Sequence, residues 1–504
     1  MATPDGFTVV LTADATLMAG YCLLFDGMLA ASQTTTTPWP VVRALLVPRA
    51  GSAGLRSKVA PLGLRRVEAA LLRSGFGPEE VAIVAPHHLG RAIGPATRVV
   101  GVSAGEPLGR GMSTTTMQAI AGGRAHPSAK FASLMKTIRR AVRAAGGRAA
   151  VTVGGPGAWQ LACGPQERTR LGIDHVVTGY AEGNVAEVYG ALIEEEDVPE
   201  HIAGEGVSAS EIPPIAGAST MGVIEISRGC GLGCSFCTMA HIPMQHLPED
   251  TIIADARTNV AAGVRHVCAI SEDLFRYGSR GLATAPEALI SLLSRLREID
   301  GLGLIQTDHG NVYSVSQYTD DELAQVRGLL VGASGQEYPW VNVGIETASG
   351  ALLRANGGAT KMGGCPNDEW ADFCSTQLRR LSCAGLFPMA SIVVGLPGTT
   401  EDDTQRTLRW VQSLSSRRLA VFPVLFAPID GRPVPAPGDL RRSQWRLIKA
   451  CYALNARWIP RMYWDNQRAA GVGVARRCLM QLLGRAQVWW WRALFAWRGR
   501  RATR

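Results

Sequence analysis

Ser227-Arg-Gly-Cys-Gly-Leu-Gly-Cys-Ser-Phe-Cys-Thr238 sets Cys230, Cys234 and Cys237 on one short loop, in a C-x3-C-x2-C spacing. The alternating apolar run at 221–226 leads into it and predicts a buried strand. Gly229, Gly231 and Gly233 let the loop close around a bulky group. Three soft thiolates on one loop suit an iron–sulfur cluster. A four-iron cluster has four corners, so three cysteines leave one iron open to another ligand. Phe236, just before the last cysteine, reads as an aromatic lid. The rival is structural zinc, with His241 completing a Cys3His set. Such sites usually draw on two separated ligand pairs, and this loop does not.

With that spacing and that aromatic, the stretch resembles the radical S-adenosylmethionine (SAM) superfamily. Strand signals recur at 264–270, 302–307, 340–345, 388–394 and 419–426, with helices between. With the strand before the cysteines they make six, which predicts a partial (β/α)6 barrel over 221–430. Polar residues gather at the strand ends, where parallel α/β folds place chemistry: Ser271-Glu272-Asp273, Asp308-His309, and Glu346 with Ser349; another strand ends at Val394-Gly395. The resemblance implies that Ser271, Glu272 and Asp273 meet the amino group of SAM. It implies that Glu346 and Ser349 contact the ribose and methionine parts, and that Val394 and Gly395 border the adenine. Read as residues alone, the carboxylates could equally be helix N-caps.

Residues 1–40 read as a lead-in with one apolar run at 7–11. Over 41–200, strand signals at 41–47, 81–85, 99–103, 149–153 and 174–178 alternate with helices at 61–74, 131–145 and 182–193. That order predicts a doubly wound, Rossmann-like parallel sheet, with ligands at the carboxyl ends of its strands. No G-x-G-x-x-G or Walker loop is present. Pro61-Leu-Gly-Leu64, Val100-Gly-Val-Ser103, Val153-Gly-Gly-Pro156 and Asp174-His-Val-Val-Thr-Gly179 resemble the cobalamin-binding domain of one radical SAM class. That resemblance implies cobalamin contacts from Ser103, Gly154, Gly155 and Glu182. Many such domains carry D-x-H-x-x-G after the first strand, whose His binds cobalt from below. After Val47 this chain has no His, and His87 and His88 read as loop residues. Cobalamin is therefore expected without a lower His ligand. Residues 201–220 read as a linker.

The formal net charge is +9, yet residues 471–504 hold eight arginines and no acid, so the rest is near neutral. Any anionic surface would meet this tail, and no nucleic-acid partner is expected. Residues 431–504 read as helical and rich in Trp and Arg. Leu479, Leu483, Ala486, Trp490, Leu494 and Trp497 form a stripe at helical spacing. Packing on the chain's own barrel explains that stripe, and so does a peripheral membrane contact. Cys365, Cys374 and Cys383 do not share a loop and read as structural. No secretory pattern opens the chain, and a reduced cytoplasm suits its thiols.

Together the resemblances imply a cobalamin-dependent radical SAM C-methyltransferase. It would act on an unactivated carbon of a small-molecule or lipid-like substrate through a 5′-deoxyadenosyl radical. An electron donor such as flavodoxin or ferredoxin would serve it. A cyclase, oxidase or mutase of the same architecture, and a non-enzymatic metal-stabilised module, are the alternatives.

Overall fold

The computed structural model describes residues 5–162, 164–430, 432 and 436–501. The chain forms two compact units. One comprises Met1–Gln118, Gly122–Ile224 and Leu247–Val264; the other comprises Ala119–Ala121, Glu225–His246 and Arg265–Arg504.

The first unit is built on a six-stranded parallel sheet. Its order is Val81–Ile83, Val9–Ala13, Val99–Ser103, Ala150–Gly154, His175–Thr178, His201–Ala203. Val9 pairs with Val81 on one side and Val99 on the other, and all five residues of Val9–Ala13 are buried. The apolar run expected to lie in a lead-in is thus the second strand of the sheet. The strand expected at 41–47 is instead the helix Trp39–Leu46. Pro40 presets the first helical turn there. Val42 points inward while Val41 is exposed, a helical and not an alternating burial pattern. The stretch read as a linker contributes the edge strand His201–Ala203, whose Ile202 is buried. It also contributes Ala218–Ser219, which pairs with Val59–Ala60.

Helix Leu62–Arg73 covers one face of the sheet and His126–Ala144 the other, each through an apolar stripe. Arg66 is 3% exposed and grips Asp255 on helix Glu249–Ala261 with both terminal nitrogens, at 2.5 and 3.2 Å. Asp255 also accepts from the Ile215 amide, and Asn259 accepts from the Ser219 amide.

In the second unit, Val267–Ile270 pairs with Ile305–Thr307, and His309–Gly310, Trp340–Glu346, Phe387–Val394 and Ala420–Leu425 follow side by side, all parallel. The Ile226 amide donates to the Ile270 carbonyl, which aligns the chain entering the cysteine loop. The register of Trp340–Glu346 slips between Gly344 and Glu346. Two long helices close the unit, Arg442–Ala469 and Val474–Arg501.

Candidate active site at the cysteine loop

Backbone hydrogen bonds hold the loop. The Cys230 amide donates to Ile242 O at 2.8 Å, Gly233 to Ala240 O at 3.0 Å and Cys237 to Cys234 O at 3.2 Å. Arg276, 6% exposed, donates to the Cys230 carbonyl at 2.9 Å. Gly229 sits at φ +78, and a Cβ there would collide with the Pro243 carbonyl. Outside the loop lies a cleft of about 460 Å³ lined by Cys230, His241, Met244, His246 and Arg276. Phe236 is buried in the loop itself.

Burial pushes the Cys230 thiol up to about 11 and raises Cys234 and Cys237 as well. Ligating metal would therefore release protons. Among the described residues no three His, Cys, Asp or Glu close on a point as ligands of a single ion would.

Three charged groups share the field of these thiols. Glu346 and Lys361 act on Cys234 and Cys237, and Glu272 acts on Cys230 and Cys237. His309 in turn acts on Glu272. Glu346 ends its strand at the bulge with φ +66, a conformation that costs a non-glycine residue about 1–3 kcal/mol. Bulges of this kind re-aim a side chain. Here the re-aimed carboxylate meets Lys361, which is 8% exposed, in a close ion pair. Burial alone would lower the Lys361 pKa, but Glu346 and the thiols raise it on balance. Lys361 was not foreseen. Its only sequence signal is a rare lysine beside glycines in a chain whose cations are nearly all arginine.

The remaining expected residues divide. Glu272 is half-buried, and burial raises its pKa. Asp273 is fully buried and faces the protein interior: it accepts from Asn311 N at 3.1 Å and from Ser314 Oγ at 2.6 Å, and burial lifts it to about 6. The expectation that it meets a ligand ammonium does not match that enclosure. Ser271 Oγ accepts from the Asp273 amide. Ser349 caps the helix Gly350–Ala355, accepting from Leu352 N at 3.3 Å. Val394 ends its strand, and Gly395 follows at φ +86.

His309 Nδ1 lies 3.0 Å from Asp308 Oδ2, and Asn342 donates to Asp308 Oδ1 at 3.1 Å. Burial disfavours the imidazolium, but the Asp308 charge and hydrogen bond outweigh it and hold His309 at about 9. Burial also pushes Asp308 up, and His309 with Asn342 pulls it below its ordinary value on balance. The pair therefore stabilises the fold over a bounded pH range. The His309 contribution is whole below 6.5 and is lost as pH rises through about 9. That of Asp308 is present above 3.8 and is lost as pH falls through its lowered value. The denaturation midpoints of wild type and His309→Gln should differ at about pH 6 and converge by about pH 10. A gap that persists at the higher pH contradicts the assignment.

No protein-family model matches the chain. It is 25% identical over 242 residues to the ribosomal protein uS12 methylthiotransferase RimO of Bordetella pertussis, spanning 44% of this chain and 49% of that protein. It is 29% identical over 237 residues to RimO of Beijerinckia indica, with the same two shares, 44% and 49%. The chain thus spans about half the length of the curated relatives it matches. Among solved structures, the radical SAM methyltransferase TsrM from Kitasatospora setae, with cobalamin and a [4Fe-4S] cluster bound, matches with a TM-score of 0.54. That match covers 84% of this chain and 77% of TsrM at 16% identity. The chain carries the radical SAM fold, preceded in sequence by a cobalamin-binding-like domain. A second TsrM structure, with tryptophan and a SAM analogue, matches equally at 0.54 and 15% identity, over 84% of this chain and 75% of that one.

The residues present fit a cluster. Three thiols stand on a pre-set loop, with a cation and two carboxylates in their field. The cobalamin-binding-like domain also has a fitting cradle. Ser103 and Gly154 end adjacent strands, Gly155 follows Gly154, and Glu182 follows the next strand. A Cβ on Gly155, at φ +92, would come within 3.0 Å of the Ala104 backbone, so the two strand ends meet closely. His87 and His88 form a short turn after Val81–Ile83. Because the first strand is Val9–Ala13, the residues that follow it are Asp14-Ala-Thr16-Leu-Met-Ala-Gly20 and not 48–54. Thr16 stands at the His position of the motif, and Asp14 Oδ1 accepts from its amide at 2.8 Å and its hydroxyl at 2.5 Å.

Proposed function

We propose that this protein is a cobalamin-dependent radical SAM methyltransferase acting on an unactivated carbon of a small-molecule substrate. The observation that carries the reading is the placement of Cys230, Cys234 and Cys237 on one backbone-held loop, with Glu272 and the Glu346–Lys361 pair in their field. A [4Fe-4S] cluster held by the three cysteines would supply the electron that cleaves SAM, and cobalamin at the sheet's carboxyl edge would carry the methyl group. Glu272 and Glu346 offer acceptors to an ammonium or to ribose hydroxyls. Lys361 pairs with Glu346 and orients it. Arg276 fixes the loop through the Cys230 carbonyl. His309, oriented by Asp308, can hold or move a proton beside Glu272. The electron comes from a donor such as flavodoxin or ferredoxin in a reduced cytoplasm.

The likeness to RimO favours a second reading, transfer of a methylthio group. Anaerobic turnover with candidate substrates separates the two by product mass. A gain of one methylene is expected. A gain of methylene plus sulfur selects the second reading, and a product with no added carbon selects a cyclase, oxidase or mutase. Iron, sulfide and cobalt analysis of anaerobically purified protein is expected to find all three. Zinc in place of iron would point to the metal-stabilised module.

A further inference from the structure

The apolar stripe of the last helix faces away from the chain. Val474–Arg501 packs on Arg442–Ala469 through Met480, Trp491 and Phe495: Met480 is buried, Trp491 meets the Tyr452 ring edge-on, and Phe495 meets it at a tilt. Leu479, Leu483 and Trp490, at helical spacing on another face, are 44%, 38% and 66% exposed. Beside them Leu482 is 68% and Trp489 73% exposed. Arg485 and Arg492 are exposed one turn or two along the flank, and the Arg492 guanidinium lies 5.9 Å from the Trp489 ring. Core packing therefore accounts for one side of this helix and leaves its most apolar side open.

We propose that this open face docks on an anionic lipid surface. The helix would lie in the interfacial plane, with Leu479, Leu482, Leu483, Trp489 and Trp490 in the acyl–headgroup boundary and Arg485 and Arg492 at the phosphates. Charge complementarity selects this occupant. Residues 471–504 carry eight arginines and no acid. A second copy would bring the same cations against one another across a two-fold axis, with no carboxylate on either helix to pair them. No helix among the described residues is long and apolar enough to cross a membrane, so the contact is peripheral. The inference is independent of the proposed reaction.

Flotation of the full-length protein with vesicles tests it. Binding to vesicles of phosphatidylcholine with about one third phosphatidylglycerol is expected, with little binding to phosphatidylcholine alone. Each arginine near such a surface contributes roughly fivefold in partitioning, so R485E/R492E should weaken binding at least about 25-fold. R485K/R492K should retain it, and W489S/W490S should lose it. All four substituted side chains are exposed, so circular dichroism and bound iron should not change. Equal binding to neutral vesicles, no binding to anionic ones, or a dimer that dissociates in W489S/W490S would each overturn the proposal. So would a protein or nucleic-acid partner that competes with the vesicles for this face and binds more tightly.

Discussion

Replacing Cys230, Cys234 or Cys237 with alanine removes cluster iron and SAM cleavage and leaves the fold in place. The expectation rests on how the loop is held. Its fixed points are the Cys230, Gly233 and Cys237 amides and the Arg276 guanidinium, none of which involves sulfur. Losing one thiol therefore removes a ligand without releasing the loop. Fewer than three thiolates cannot grip three corners of a four-iron cluster, so iron content should fall to background in each variant and deoxyadenosine formation with it. Far-ultraviolet circular dichroism should match wild type. A variant that keeps both iron and SAM cleavage would show that its cysteine is not a ligand, and two such variants would remove the enzymatic reading altogether.

The second large effect is on stability. Arg66 and Asp255 are 3% and 0% exposed and joined through both oxygens. Burial lifts the Asp255 carboxyl on balance, even with Arg66 beside it. Arg66→Met strands that carboxyl among apolar groups and should cost about 3–5 kcal/mol, read as a lower denaturant midpoint. Removing both partners by Arg66→Met with Asp255→Leu should recover most of the loss, because the desolvation penalty disappears with the charges. A double variant as unstable as the single one would mean that the Asp255 contact to the Ile215 amide carries the effect instead.

Much of this molecule is legible from the order of residues, and the failures have physical causes. The cysteine loop could be read because its chemistry is local: three thiols and three glycines lie within nine residues. The strands of the second unit could be read because most are apolar runs, and several end at a polar residue. Val9–Ala13 was misplaced because some 40 residues of helix and loop separate it from the next β-rich pattern. The segment at 41–47 misled because Val-Val-Arg-Ala-Leu-Leu-Val is too short for periodicity to choose between helix and strand. The partnership of Glu346 with Lys361 is invisible in sequence because a bulged strand end and a turn bring them together at no regular spacing. Asp273 shows the limit most plainly. Adjacent carboxylates at a strand end look alike in sequence, yet Glu272 is half-buried and Asp273 is sealed in.

The helix Glu249–Ala261 follows the cysteine loop in sequence but completes the unit that holds the first sheet. A gene cut in the stretch around 201–220 would therefore not yield two self-sufficient halves. The upstream fragment would lack the carboxylate that neutralises its Arg66, and the downstream one would carry an orphaned amphiphile. Any dissection of this protein, or any shuffling of its front end onto another catalyst, has to carry residues 247–264 along with the front end.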